Sequence, residues 1–354
     1  MRISQLLREF IDISLYDPIH GYFCSSTNPV GFLEKPIDFN GLAGSTEYYQ
    51  TVAEKYDGLR KHWLTPSEIF TPHIGSCIAN YIVREWKDSS EEWPLEIIEV
   101  GAGTGTLARD ILNWIKAYDK NIYEACTYVS IEISENLANL QHRRVCVDGG
   151  HSDERFSICI GNACNLSTWK GLRRQAPFVI AMEVLDNLPH DKVAYTVGRG
   201  REAEWMESLV SIANDGNFGQ PEEHRRPVKD SLIKRALEAW LYLENESSPK
   251  AEEKILGALE WLLEATRIPD PIFLPTSALQ LFDTIHTAIP RHQIIASDFD
   301  HLPDVKVAGR NAPLVSSIVS LCGNNCVIRD MFLLTPCYMT VPEVIGFEKS
   351  IFAD

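Results

Sequence analysis

One stretch, "IIEVGAGTGTLARDIL" (97–112), limits what this chain can fold into more than any other. A short apolar run ends in Gly101, Gly103 and Gly105, and an amphipathic run starts directly behind them. Leu107, Ile111, Leu112 and Ile115 share one face at helical spacing. Strand, glycine turn and helix in that order form the opening unit of a parallel α/β sheet. The first glycine permits a tight turn; the others let the backbone approach a ligand and the helix start closely. Free N–H groups and the helix dipole there favour a negative group.

The same alternation continues along the chain. "LEIIEV" (95–100), "TYVSIEI" (127–133), "FSICIG" (156–161), "FVIAMEV" (178–184) and "HQIIASDF" (292–299) read as strands. Helices are predicted over 106–118, from a cap at Ser134 through "ENLANLQHRRV", and around "SALQLFDTIHTAI". The expected fold class is α/β: a Rossmann-like parallel sheet with helices on both faces, spanning 91–214 and 270–320. Residues 1–90 read as an N-terminal helical and loop extension covering the site. Its first segment, "MRISQLLREFIDISLYDP", reads as one amphipathic helix stopped before Pro18 rather than as a targeting peptide. Thr65 and Thr71, each followed by proline, read as helix N-caps, with Ile74, Ile78, Tyr81 and Ile82 as the apolar stripe beyond. Residues 215–230 read as a polar loop and 228–265 as a helical hairpin, making 215–269 an insertion. Residues 321–354 read as a divergent tail.

Composition narrows the partners. The net charge of -16, from 33 basic and 49 acidic residues, excludes a nucleic-acid backbone as the main partner and permits a cationic or protein one. No apolar run reaches the ~18–20 residues that cross a bilayer. Nine scattered cysteines point to free thiols in a reducing compartment. Cys322, Cys326 and Cys337 fit no zinc spacing, so no metal site is expected.

Chemistry is expected at the carboxyl ends of the strands. Thr106 breaks the dinucleotide pattern G-x-G-x-x-G. The run is E-x-G-x-G-x-G instead, with Glu99 two residues before the first glycine. That resembles motif I of class I S-adenosylmethionine methyltransferases, whose ligand presents an amino-acid carboxylate. Glu132 ends the next strand, where an acid can accept both ribose hydroxyls. Asn162 and Ala163 follow the third strand, where a side-chain amide can meet the adenine edge. Glu183 and Asp186 follow the fourth, in "EVLDNLPHDKV". A turn-capping role competes with a ligand role for these two acids, and Asn187 and His190 read either as turn groups or as site groups.

Across roughly 16–313 the chain resembles the MidA-like methyltransferases, which include mitochondrial protein arginine methyltransferases that assist assembly of respiratory complex I. The matching segments are "YDPIHGYF" (16–23), "LTPSEIF" (64–70), the glycine turn, "YVSIEISENLANLQ" (128–141), "VIAMEVLDNLPHDKV" (179–193) and "SDFDHLPDVKVAGRNAP" (297–313). The resemblance implies S-adenosyl-L-methionine as cofactor, held at Glu99, Gly101, Gly103, Gly105 and Glu132. It implies acceptor-facing acids at Glu183 and Asp186, and N-terminal segments at Tyr22 and at Thr65 to Glu68 that close over the site. It also implies an arginine-containing protein substrate, a complex I subunit among the candidates, and a mitochondrial location, with the cytoplasm as the alternative. Carboxylates suit a guanidinium, which is a planar fork of donors. The sequence departs from the family in reading GAGTG where G-P-G-R-G is common, and in carrying Val184 and Leu185 in place of two Phe. An assembly factor retaining the cofactor site without catalysis, or a small-molecule methyltransferase, are the competing readings.

Overall fold

Apolar strands joined by amphipathic helices bury their surface by stacking in layers. A computed structural model of the chain describes residues 3–24, 30–59, 64–89, 93–172, 175–196, 204–212, 221–246, 271–298, 314–316 and 333–335. Strand β1 (Ile3–Leu6) leads into helix α1 (Leu7–Tyr16); α2 (Ser45–Leu59), α3 (Pro66–Ile69) and α4 (His73–Asp88) follow. The alternating region comprises β2 (Glu96–Val100), α5 (Thr106–Tyr118), α6 (Lys120–Ala125), β3 (Thr127–Glu132), α7 (Glu135–His142), β4 (Phe156–Ile160), α8 (Leu166–Trp169) and β5 (Phe178–Met182). A π-helical turn, Arg143–Asp148, extends α7. Then come β6 (Asp191–Thr196), β7 (Glu204–Ile212), β8 (Glu222–Pro227), α9 (Ser231–Glu246), β9 (Ile272–Leu274), α10 (Thr276–Ala288) and β10 (Gln293–Ser297). A short pair, β11 (Leu314–Ser316) with β12 (Leu333–Thr335), is antiparallel. No helix among the described residues is long and apolar enough to cross a membrane.

Two compact units result. The first holds 14–185 and 281–297. Its sheet has the order β10-β5-β2-β3-β4, and each neighbouring pair is parallel. The order reverses at β2: β3 and β4 lie on one side, β5 and β10 on the other. The carboxyl ends of β2 and β5 therefore flank the topological switch point, where open α/β sheets bind ligands. Ile97, Ile111, Leu112, Ile115, Tyr128, Val145, Phe156 and Ile180 are among the side chains that fill its core. This is the expected Rossmann-like sheet.

The second unit holds 1–13, 186–280 and 298–354. Its sheet runs β1-β7-β6-β9, with β8 on the far edge of β7, and all the pairs are antiparallel. Leu6, Val193, Ile233, Leu237, Ile272, Leu274 and Leu279 form its core. Arg8 donates to Asp191 Oδ2 at 2.6 Å and to both oxygens of Asp230, at 3.0 and 2.7 Å.

Several sequence expectations need correction. Ile3–Leu6 is a strand on β7 rather than the first turn of a helix. Pairing satisfies N–H groups that a helix start leaves without partners. The expected loop at 215–230 contains β8. Its six residues are exposed, so no apolar pattern marks it. Its charges instead meet β7: Arg226 Nε donates to the buried Glu207 at 2.6 Å, and Ser208 donates to Glu223 at 2.8 Å. Asp191–Thr196 and Glu204–Ile212, expected within the parallel core, are antiparallel strands of the second unit. Helix α9 is the first arm of the expected hairpin; the second falls outside the described residues, as do Cys322, Cys326 and Cys337. Of the expected tail, 321–354, only β12 is described.

Thr65 caps α3 as expected, accepting from Glu68 N at 3.3 Å. Thr71 does not cap α4. Its hydroxyl donates to the buried Asp110, and Pro72 occupies the cap position. The buried face of α4 is Gly75, Ala79, Ile82 and Val83, with Tyr81 outside. Of the expected stripe, Ile82 is in the core and Ile74 and Ile78 pack against it, so only Tyr81 departs; a Cβ on Gly75 would lie 2.6 Å from Asp110 Cβ, so close packing of α4 on α5 adds small residues to that face.

Candidate active site

The glycine turn after β2 is shaped by backbone conformation first. Gly101, Gly103 and Gly105 have φ of 64°, 53° and 83°, which only glycine adopts readily. Gly105 has a second constraint, because a Cβ there would sit 3.0 Å from Gln141 Cα. Gly103 differs: a Cβ would meet only Val30, at 3.8 Å. The turn is therefore packed against α7 at one end and open beside Gly103.

Two carboxylates lie beneath it in the sheet. Glu99, in the central strand and 3% exposed, accepts from the Tyr128 hydroxyl at 2.7 Å. Glu132, at the end of β3 and equally buried, accepts from Ser134 N at 2.9 Å and from Gln141 Nε2 at 2.8 Å. Burial pushes both carboxyls up to about 7. Hydrogen bonds oppose that shift in each, and the neighbouring Glu132 charge adds to it at Glu99.

Gln141 is the connector that sequence reasoning missed. Its amide donates also to Gly103 O at 3.0 Å and accepts from Ser130 Oγ at 2.8 Å. One fully buried side chain thus fixes the glycine turn, the strand-end acid and β3 together. Nothing in the spacing of "NLANLQH" marked it, because its partners converge only in the folded sheet.

Glu68 is also buried. Its Oε1 accepts from Leu33 N at 2.6 Å, and its Oε2 from Thr104 Oγ1, in the glycine turn, at 3.2 Å. Arg144 Nη2 lies 3.6 Å from the same carboxylate, and the guanidinium stacks over Phe32 at 4.7 Å. Arg144 Nη1 is buried with no hydrogen-bond partner, and burial lowers the Arg144 pKa. Tyr22 packs edge-on to Phe23 at 5.0 Å. Asn162 follows β4, where its Oδ1 accepts from Cys164 N at 2.8 Å; Ala163 O accepts from Trp169 Nε1 at 2.8 Å.

Glu183 ends β5 on the other side of the switch point. It has φ of 55°, the only non-glycine residue with positive φ among those described. Its N–H donates to Ser297 O at 2.8 Å, which ties it to β10. Such a conformation costs on the order of 1–3 kcal/mol and persists where its surroundings over-determine it. Next to it, a Val184 methyl lies 3.0 Å from where a Cβ on Gly101 would stand, and Leu185 is buried.

The remaining sequence candidates belong to the second unit. Asp186 is 2% exposed; its N–H donates to Asp298 Oδ2 at 3.1 Å, and its Oδ1 accepts from Asn187 Nδ2 at 2.6 Å. His190 is buried edge-on to Phe273 at 5.6 Å, and burial lowers its pKa to about 4. It is therefore neutral near pH 7.

A nucleoside bearing an amino-acid tail suits the donors and acceptors around the glycine turn. Glu132 accepts from the Ser134 and Ile133 backbone and from Gln141, which leaves the carboxylate one further acceptor position. The turn is open at Gly103.

Comparison with known proteins agrees. The chain is 22% identical over 325 residues to the "Protein arginine methyltransferase NDUFAF7 homolog, mitochondrial" of Schizosaccharomyces pombe, covering 88% of this chain and 67% of that protein. It is 26% identical over 200 residues to the protein of the same name in Drosophila melanogaster, covering 53% and 43%. The chain thus spans about two thirds of the yeast relative and less than half of the fly one. Among solved structures, a COG1565 superfamily member from Burkholderia thailandensis bound to S-adenosyl-homocysteine is 20% identical, with a TM-score of 0.46 over 66% of this chain and 49% of that one. The family model for S-adenosyl-L-methionine-dependent methyltransferases (Methyltransf_28) matches residues 77–328. That match takes in most of the chain and the whole glycine turn, and its cofactor is the ligand the turn suits: the chain belongs to the MidA-like family of S-adenosyl-L-methionine-dependent methyltransferases.

Proposed function

We propose that this methyltransferase acts on arginine in a protein, with a subunit of respiratory complex I as the substrate and the mitochondrion as the compartment. The observation that carries the reading is Glu183, a carboxylate held in a left-handed backbone at the carboxyl end of β5, beside the switch point. The arginine methyltransferase names of the yeast and fly relatives, and the complex I role of the resembling family, support the finer assignment.

The cofactor supplies a methyl group made electrophilic by its sulfonium. Glu132 would accept from its ribose hydroxyls, and Asn162 and Ala163 would border its base; Gly101, Gly103 and Gly105 would let the backbone approach it closely, although the N–H groups of Gly101 and Gly105 are engaged by Ile131 O at 2.9 Å and Ala102 O at 2.8 Å. Glu99 stands behind the turn, shielded by Tyr128. Tyr22, Thr65 and Glu68 belong to the segment that closes over the site, with Glu68 latching that segment to Thr104. Glu183 binds the guanidinium, turns one nitrogen toward the methyl and takes the proton that the nitrogen sheds. Alignment and desolvation of the two reactants are worth roughly 7–11 kcal/mol when geometry is ideal. Asp186, with Asn187 and His190 behind it, has its acceptor role from the match of "EVLDNLPH" to the family's acidic motif.

Glu183→Gln tests this. Cofactor binding by calorimetry is expected to survive while methyl incorporation into an arginine-containing target falls by about 10²-fold or more. Unchanged turnover would remove Glu183 from the role. Arginine-methylation mass spectrometry of mitochondria lacking the protein would reveal the substrate; an unaltered profile would overturn the arginine assignment.

A further inference from the structure

The C-terminal end of α7 carries, beyond Gln141, chemistry that methyl transfer does not use. His142 closes the helix, Cys146 lies four residues on within the π-helical turn, and Asp153 stands in the loop before β4. The imidazole, thiol and carboxylate ligand atoms all lie within 4.8 Å of one another, and His142 Nε2 is 3.0 Å from Asp153 Oδ1. Four-residue spacing on a helical segment brings two side chains onto one face. The π-helical turn makes this segment's geometry its own, and such turns recur at functional sites.

We infer that His142, Cys146 and Asp153 bind a single zinc ion, with water completing the coordination. Zinc takes nitrogen, thiolate sulfur and carboxylate oxygen at about 2.0–2.3 Å in tetrahedral geometry, which sets neighbouring ligand atoms roughly 3.3–3.7 Å apart. A separation at the 4.8 Å limit closes by roughly 1.1–1.5 Å to reach that arrangement. The mixed set is borderline in softness, which suits zinc better than magnesium or calcium, both of which take oxygen ligands. His142 and Asp153 are 51% and 81% exposed in their side chains, so an ion can enter and a water can stay bound. Binding releases the thiol proton to solvent. The ion would join α7 to the loop before β4, one residue from Gln141, the connector of the glycine turn.

The test uses the full-length chain. Zinc is titrated against a chromophoric chelator, and cobalt serves as the spectroscopic probe. Wild type is expected to bind one more equivalent than either Cys146→Ser or His142→Ala. Its cobalt form should show a thiolate-to-cobalt charge-transfer band that Cys146→Ser lacks. Loss of a direct ligand should weaken the site by more than the about 10–100-fold that loss of an outer partner costs. His142 is exposed and Cys146 packs partly against the core, where serine keeps the side chain's size; thermal melts of the metal-free variants matching wild type would show that the fold is kept. Equal stoichiometry in wild type and both variants, or a cobalt spectrum unchanged by Cys146→Ser, would overturn the assignment.

Discussion

Gln141 Nε2 donates to Glu132 Oε2 at 2.8 Å and to Gly103 O at 3.0 Å, so one amide holds the strand-end acid and the glycine turn in register. Gln141→Leu keeps the volume and removes the partners. The expected cost is about 1–3 kcal/mol of stability, because Glu132, Gly103 and Ser130 lose a bond in a buried setting. Affinity for S-adenosyl-L-methionine should fall about tenfold, equivalent to roughly 1.4 kcal/mol. Urea unfolding and calorimetry measure the two; wild-type values in both would show that the amide is dispensable.

Two glycines separate strain from crowding. Gly105 and Gly150 both have positive φ, but a Cβ on Gly150 meets no atom within 4 Å, whereas one on Gly105 meets Gln141. Gly150→Ala should cost about 1–2 kcal/mol, the left-handed penalty alone. Gly105→Ala should cost more by roughly 1–3 kcal/mol, the range for overpacking a well-filled core. Equal denaturation midpoints for the two variants would rule out the close approach of α7.

Glu99 and Glu132 give the protein a pH signature. Each carboxyl is raised from 4.5 to about 7 by burial. Between those values the folded state holds protons that the unfolded chain has lost, so stability falls as pH rises through the window and levels off above it. Glu99→Gln preserves an acceptor for Tyr128 and removes one titration. The decline between pH 5 and pH 8 should shrink by roughly 2–3 kcal/mol. An undiminished decline in urea titrations at both pH values would place the effect elsewhere.

In the second unit, Arg8 is the test of a buried ion pair. Asp191 has no exposed side-chain surface and is held by Arg8 and by the Thr276 hydroxyl at 2.7 Å. Arg8→Met leaves that carboxylate with Thr276 and the backbone N–H of residue 8 but no counter-charge, and about 3–5 kcal/mol of stability should be lost. The double variant Arg8→Met with Asp191→Asn should recover part of it. A single variant as stable as wild type would show the pair to be neutral.

The sequence by itself determined the parallel sheet. Its five strands read as apolar runs, with β2, β3 and β5 almost wholly buried and the edge strands β4 and β10 partly exposed; its glycines sit where φ is positive, and its strand-end acids follow from their position alone. It did not show β8, whose exposed residues carry no apolar period, nor that Ile3–Leu6 pairs with β7 instead of starting a helix. It gave Glu99, Glu132 and Glu183 as candidates without showing how they are held. Gln141, Tyr128 and Ser130 became visible only in three dimensions, since a hydrogen bond joins residues by distance in space and leaves no period in the chain. The left-handed turn at Glu183 was equally hidden, because local preference disfavours it and only the surrounding strands enforce it.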